Sequence, residues 1–117
     1  MNDSIHAVVL GATGYVGGEL LRLIAAHPNF NLAAAVSESR SGRPIAETFP
    51  HQNGVYADID FNSHDNWLTS IADGGDLALF SAAPHGASAA LITKVLDAAA
   101  EKNLQVHVVD SSADFRY

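Results

Sequence analysis

The sequence predicts a doubly wound α/β domain, with a mostly parallel sheet and helices on both faces. Three observations predict it. Short apolar runs of strand length alternate with longer stretches of helical periodicity. A glycine-rich turn, Gly11-Ala-Thr-Gly-Tyr-Val-Gly17, joins the first apolar run to the first helical stretch. The stretches 11–17, 37–43, 83–86 and 110–116, rich in glycine or polar residues, each follow an apolar run, where the strands of an open sheet end.

Ile5 to Leu10 reads as a first, buried strand. Residues 15–27 read as a helix, with Val16, Leu20, Leu23, Ile24 and His27 on one face, and Pro28-Asn29 ends it. Phe30 to Val36 is a second strand, and the helix between the two makes them parallel. Residues 37–54 lack clear periodicity, except for a short helix over Ile45 to Phe49. Val55 to Phe61 alternates weakly and reads as a third strand; Asp65 to Ala72 reads as a short helix with Trp67, Leu68 and Ile71 as its packing side. Leu77 to Ala83 is a strongly apolar strand, broken by Pro84-His-Gly86. Ala87 to Lys102 is a helix with Leu91, Val95 and Ala98 as its buried stripe, broadened by Ile92, Leu96 and Ala99. Val106 to Val109 is the last strand. Strand order should run outward both ways from the first strand, which puts a ligand crevice at the carboxyl ends of the first and of the Leu77 strand.

Composition narrows the function. The 117 residues make one domain with one core. The formal net charge is −7, which disfavours nucleic acid as a partner. There is no cysteine, so the chain holds no disulfide, thiolate metal site or sulfur nucleophile. The six histidines form no short ligand cluster, and no metal site is expected. Neither a signal-peptide start nor an apolar run of membrane length is visible, so no membrane is expected and the cytoplasm is the expected location.

The glycine turn is a phosphate-binding element of Rossmann type. Gly11 can turn the chain off the strand, Gly14 leaves the backbone open to a diphosphate, and Gly17 lets the helix pack near the sheet. The spacing is G-x-x-G-x-x-G, so the middle glycine falls one place later than in G-x-G-x-x-G. Helix N-terminal N–H groups and the positive end of the helix dipole would face the phosphates. Without a ligand, the same residues would be a glycine-rich β–α turn.

The end of the second strand, Ser37-Glu-Ser-Arg-Ser-Gly-Arg43, bears on the adenine ribose. Glu38 alone would argue for a free 2′-hydroxyl. Arg40 and Arg43, with Ser37, Ser39 and Ser41, argue for a 2′-phosphate, so NADP is favoured over NAD. Arg43 taken alone fits a solvated loop equally well. His85, with Ala83 and Pro84 at the ligand edge, is a candidate cofactor contact or general acid, or else a residue bonded to its own turn. No Ser-His-Asp arrangement and no phosphate-loop lysine is present, and no Tyr-x-x-x-Lys pair supports a short-chain reductase.

Three motifs together resemble one family. Gly11-Ala-Thr-Gly-Tyr-Val-Gly-Gly-Glu-Leu-Leu21, Pro84-His-Gly86 and Val109-Asp-Ser-Ser-Ala-Asp-Phe-Arg116 resemble N-acetyl-γ-glutamyl-phosphate reductases, within the semialdehyde dehydrogenase superfamily. Ser111 stands where that family commonly has leucine. The resemblance covers essentially the whole chain. It implies an NADPH-dependent reductase of arginine biosynthesis that turns an acyl phosphate into a semialdehyde through a cysteine thioester. It also implies that residues 1–117 are the N-terminal cofactor domain of a longer two-domain enzyme. The catalytic cysteine would lie beyond residue 117, the substrate would be a small-molecule acyl phosphate, and the full-length enzyme would be a homo-oligomer. Gly11, Thr13, Gly14, Tyr15, Val16 and Gly17 carry over as cofactor contacts; Ser112 and Arg116 would face the nicotinamide or substrate side. Two other readings stay open: a dinucleotide-sensing module without chemistry, and an aspartate-semialdehyde dehydrogenase-like reductase.

Overall fold

Apolar runs bounded by turns pair into one four-stranded parallel sheet in the computed structural model of the chain. The structure describes residues 5–12, 15–37, 39–49, 56, 59–63, 67, 75–82 and 88–110 (for Tyr15, Ser88 and Asp110, the backbone only). Its elements are β1 (Ile5–Leu10), α1 (Tyr15–Ala26), β2 (Phe30–Val36), α2 (Ile45–Thr48), β3 (Asp76–Ser81), α3 (Ser88–Glu101) and β4 (Gln105–Asp110). The strand order is β2-β1-β3-β4, so the sheet does run outward both ways from β1.

Alternation along β1 splits the core in two. Ala7 and Val9 face a cluster with Leu21 and Ile24 of α1, Ala35, Ile45, Phe49, Tyr56 and Phe61. Val8 and Leu10 face the other way, toward Leu77, Leu79, Trp67, and Ile92 and Val95 of α3. Helices therefore cover both faces, and β1 and β3, flanked on both edges, show the continuous apolar sequence of doubly buried parallel strands. Trp67, 2% exposed, is a packing residue as expected.

The helix stripes are rotated from the expected ones. In α1 the buried line is Gly17, Gly18, Leu21 and Ile24, whereas Val16 and Leu23 are 45% and 53% exposed. Glycine marks the line of closest approach, so hydropathy alone places the stripe one residue off. His27 lies just past α1: its ring packs on Phe30 at 4.6 Å between centroids, and its Nδ1 accepts the Asn29 N–H. In α3 the buried positions are Ile92, Val95 and Ala99, with Leu91 half-buried and Leu96 exposed.

The expected strand over Val55 to Phe61 is corrected. Its described residues form only single bridges: Asp60 with Pro44, antiparallel, and the neighbouring Asn62 with Val36, parallel. The backbone groups are taken up locally instead. Ile45 N–H donates to the Ile59 carbonyl, and Phe61 N–H to the Arg43 carbonyl, both at 2.9 Å. The described residues of this range, with Ile45 and Phe49, thus form a strap over α1 rather than a further strand. The helix expected over Asp65 to Ala72 lies, apart from Trp67, outside the described residues.

At the far edge, β4 pairs with β3 from Asp76–Gln105 to Ser81–Asp110. Val108 and Val109 are 41% and 52% exposed there.

Candidate cofactor site

Three strand ends meet at the carboxyl edge of the sheet. Ala12 N–H donates to the Val36 carbonyl at 3.1 Å, tying the glycine turn to the end of β2. Ala82 N–H donates to the Leu10 carbonyl at 2.8 Å, tying the end of β3 to the end of β1. This convergence is the place where the sequence expects the crevice.

Gly11 has φ +68°, in the left-handed region that favours glycine, and so leaves the strand as the sequence predicts. At Gly17 a Cβ would come within 2.7 Å of the Ala12 carbonyl group and of the Gly11 carbonyl oxygen. Only a glycine lets the first turn of α1 sit against the turn that precedes it. Val16, between the glycines, is exposed at the helix start. A glycine turn leading from a strand into a helix N-terminus is the element a diphosphate requires. The residues present therefore fit such a group. Thr13 and Gly14 lie outside the described residues, and Tyr15 opens α1 with its backbone alone described.

Beside the glycine turn, the residues after β2 fold back on themselves. Ser37, 5% exposed, accepts the Arg40 N–H on its Oγ at 3.3 Å, and its hydroxyl lies 3.4 Å from that of Ser39. Arg43 N–H donates to the Arg40 carbonyl at 2.9 Å, closing a second turn that includes Gly42 at φ +83°. The structure separates the two arginines. Arg43 is held by Glu47 at 2.5 Å, one helical turn on. Arg40 is exposed, and among the described residues no carboxylate pairs with its guanidinium. Gly11, Val16 and Gly17 thus share one sheet edge with Ser37, Ser39 and Arg40. Ala83, Pro84 and His85 lie outside the described residues, as do Ser112 and Arg116.

Sequence reasoning missed the supports of this edge. Phe49 packs where a side chain on Gly18 would stand, a Cβ there meeting its Cε1 at 2.6 Å. Tyr56 donates its hydroxyl to the Leu21 carbonyl of α1 at 2.6 Å, and burial pushes its pKa up to about 12. The glycine doublet 17–18 is the available signal, since two adjacent glycines in a helix imply close approach on that face.

The fold and the edge define a nucleotide-binding class of open, parallel α/β domain. The family model for the semialdehyde dehydrogenase NAD binding domain matches residues 6–117, and the chain belongs to that family. Relatives named N-acetyl-gamma-glutamyl-phosphate reductase include one from Methanosarcina mazei, 39% identical over 99% of the chain and 31% of the relative. Another, from Acidothermus cellulolyticus, is 44% identical over 95% of the chain and 29% of the relative. A [LysW]-L-2-aminoadipate/[LysW]-L-glutamate phosphate reductase from Saccharolobus solfataricus is 37% identical over 99% of the chain and 30% of the relative. The chain therefore spans about three-tenths of the length of these relatives. The crystal structure of aspartate semialdehyde dehydrogenase with NADP from Candida albicans has the same fold, with TM-score 0.72, 21% identity, and coverage of 97% of this chain and 31% of that one. No helix among the described residues is long and apolar enough to cross a membrane.

Proposed function

We propose that the chain is the cofactor domain of an NADPH-dependent reductase that converts N-acetyl-γ-glutamyl phosphate to the semialdehyde with release of phosphate. The observation that carries the reading is the shared edge of two elements. A glycine turn opens onto α1, and a serine-braced arginine stands beside it at the end of β2. Relatives that bear the reductase name support the substrate.

In this reading the backbone of residues 11–17 binds the diphosphate, with Thr13, Gly14 and Tyr15 among its contacts. Arg40 binds the 2′-phosphate, with Ser37 and Ser39 holding the turn that presents it. Ala83, Pro84 and His85 line the nicotinamide side. When bound, NADPH supplies a hydride, and this chain's share of the work is to orient the donor. A cysteine beyond residue 117 supplies the nucleophile. The domain is then the N-terminal unit of a cytoplasmic, two-domain homo-oligomer.

The Saccharolobus relative raises a second substrate reading, because its 37% identity is close to the 39% of the Methanosarcina one. As the relatives' names give them, the two substrates differ in bearing an N-acetyl group or a LysW group. Titrating the chain with NADPH and NADH, and assaying the full-length enzyme with N-acetylated and LysW-linked acyl phosphates, tests both points. Preference for NADPH and turnover of the acetylated substrate are expected. NADH preference or turnover of the LysW-linked substrate alone would overturn the reading.

A further inference from the structure

The strap over α1 links the two halves of the cofactor edge by a second route, beside the pairing of β1 with β2. It starts at Gly18, in the first turn of α1, against which the nearly buried Phe49 ring is seated. Phe49 meets Phe61 edge-on, with 6.5 Å between ring centroids. The Phe61 backbone then binds the arginine turn twice: its N–H donates to the Arg43 carbonyl, and its carbonyl accepts the Gly42 N–H, each at 2.9 Å. Arg43 N–H in turn holds the Arg40 carbonyl. The Tyr56 hydroxyl on the Leu21 carbonyl anchors the same strap one turn further along α1.

We propose that the Phe49–Gly18 contact is a specificity-determining contact, which sets the spacing between the first turn of α1 and the Arg40 turn and thereby the preference for NADPH over NADH. The inference rests on the cofactor reading above. A 2′-phosphorylated dinucleotide must meet both elements at once across a fixed covalent distance. An unphosphorylated one meets only the first firmly. A change of spacing is therefore felt mainly by the phosphorylated ligand. Close-packed interiors do not absorb an added methyl without moving a neighbour, so a Cβ on Gly18 displaces Phe49 and the strap with it. Phe49 lies in the core against Gly18 and acts as a positioning residue.

The test compares NADPH and NADH dissociation constants for the full chain with those of Gly18→Ala, Phe49→Leu and the double variant. Each single variant should lose at least fivefold in the NADPH-to-NADH affinity ratio. The double variant, with a smaller side chain opposite the new methyl, should recover much of the loss in Gly18→Ala. A ratio unchanged within twofold in the single variants, with both affinities falling together, overturns the proposal, because a merely structural role moves both ligands alike. If Gly18→Ala does not fold, the affinity ratio of Phe49→Leu decides by the same two outcomes. A parent chain without NADPH preference sinks the cofactor reading first and this inference with it.

Discussion

The buried hydroxyl of Ser37 accepts the Arg40 backbone N–H at 3.3 Å, bending the chain so that Arg40 is presented outward at the carboxyl edge of the sheet. A 2′-phosphate carries nearly two negative charges, and a charge-assisted contact to it is worth about 1.5–3 kcal/mol, roughly ten- to a hundredfold in affinity. Arg40→Ala should lose that much NADPH affinity and leave NADH binding nearly unchanged. Arg43→Ala should do little to either, since Glu47 already engages that guanidinium at the surface. Calorimetric titration with both cofactors reads the difference. Equal losses for NADPH and NADH in Arg40→Ala would remove Arg40 from the site.

Gly17 and Gly75 form a matched pair of tests. A methyl at Gly17 would press on backbone atoms at 2.7 Å, which cannot rotate away. Overpacking of this kind costs about 1–3 kcal/mol, and Gly17→Ala should lower the melting temperature and weaken cofactor binding together. At Gly75 nothing lies within 4 Å, and its φ is outside the left-handed region. Gly75→Ala should be neutral, or gain about 0.4–1 kcal/mol by restricting the unfolded chain. Thermal melts of the two variants, each with a cofactor titration, check both outcomes.

Tyr56 predicts an alkaline limit to stability. Its pKa is about 12 when folded, against 10.0 for the free side chain. Below pH 10 both states keep the proton and stability does not depend on this group. Between about pH 10 and 12 the unfolded chain loses the proton while the folded one keeps it, so stability falls as pH rises. Tyr56→Phe should flatten that part of the curve relative to the parent. At neutral pH it should cost about 0.5–1.5 kcal/mol for the lost bond to Leu21. Urea melts at pH 7 and pH 11 measure both; parallel declines in the two proteins would contradict the assignment.

Residues 1–117 alone should bind NADPH and perform no turnover. Thioester chemistry needs a sulfur nucleophile, and this sequence contains no cysteine. The hydroxyls of Ser111 and Ser112 stay protonated near neutral pH unless a base activates them. NADPH oxidation with N-acetyl-γ-glutamyl phosphate should stay at the blank rate. Phosphate-releasing turnover above blank would place the nucleophile within this chain.

Much of the fold is legible in the sequence because its signals are local. The glycine turn between Leu10 and Tyr15, the period of α1 and α3, and the apolar β1 and β3 each declare themselves within a few residues. What the sequence hides depends on distant partners. The run from Val55 to Phe61 alternates like a strand, yet among its described backbone groups those of Ile59 and Phe61 bond to Gly42, Arg43 and Ile45, which no local pattern reveals. Hydropathy misplaces the α1 stripe because glycine scores as weakly apolar, although Gly17 and Gly18 sit where contact is closest. At the site, composition points to Ser37, Ser39 and Arg40, but it does not rank the two arginines. The i, i+4 spacing of Arg43 and Glu47 is readable and does rank them.

Val108 and Val109 make β4 a matter of sample handling as much as of architecture. In the strand order β4 is terminal, so among the described residues its outer row of backbone donors and acceptors has no partner strand, and both valines are exposed. Natural proteins blunt such edges with lysine or proline because an apolar edge templates pairing with any other extended chain. Concentrated solutions of residues 1–117 will therefore be prone to aggregation, and a lysine in place of Val109 is the solubilising substitution that lies farthest in sequence from the strap.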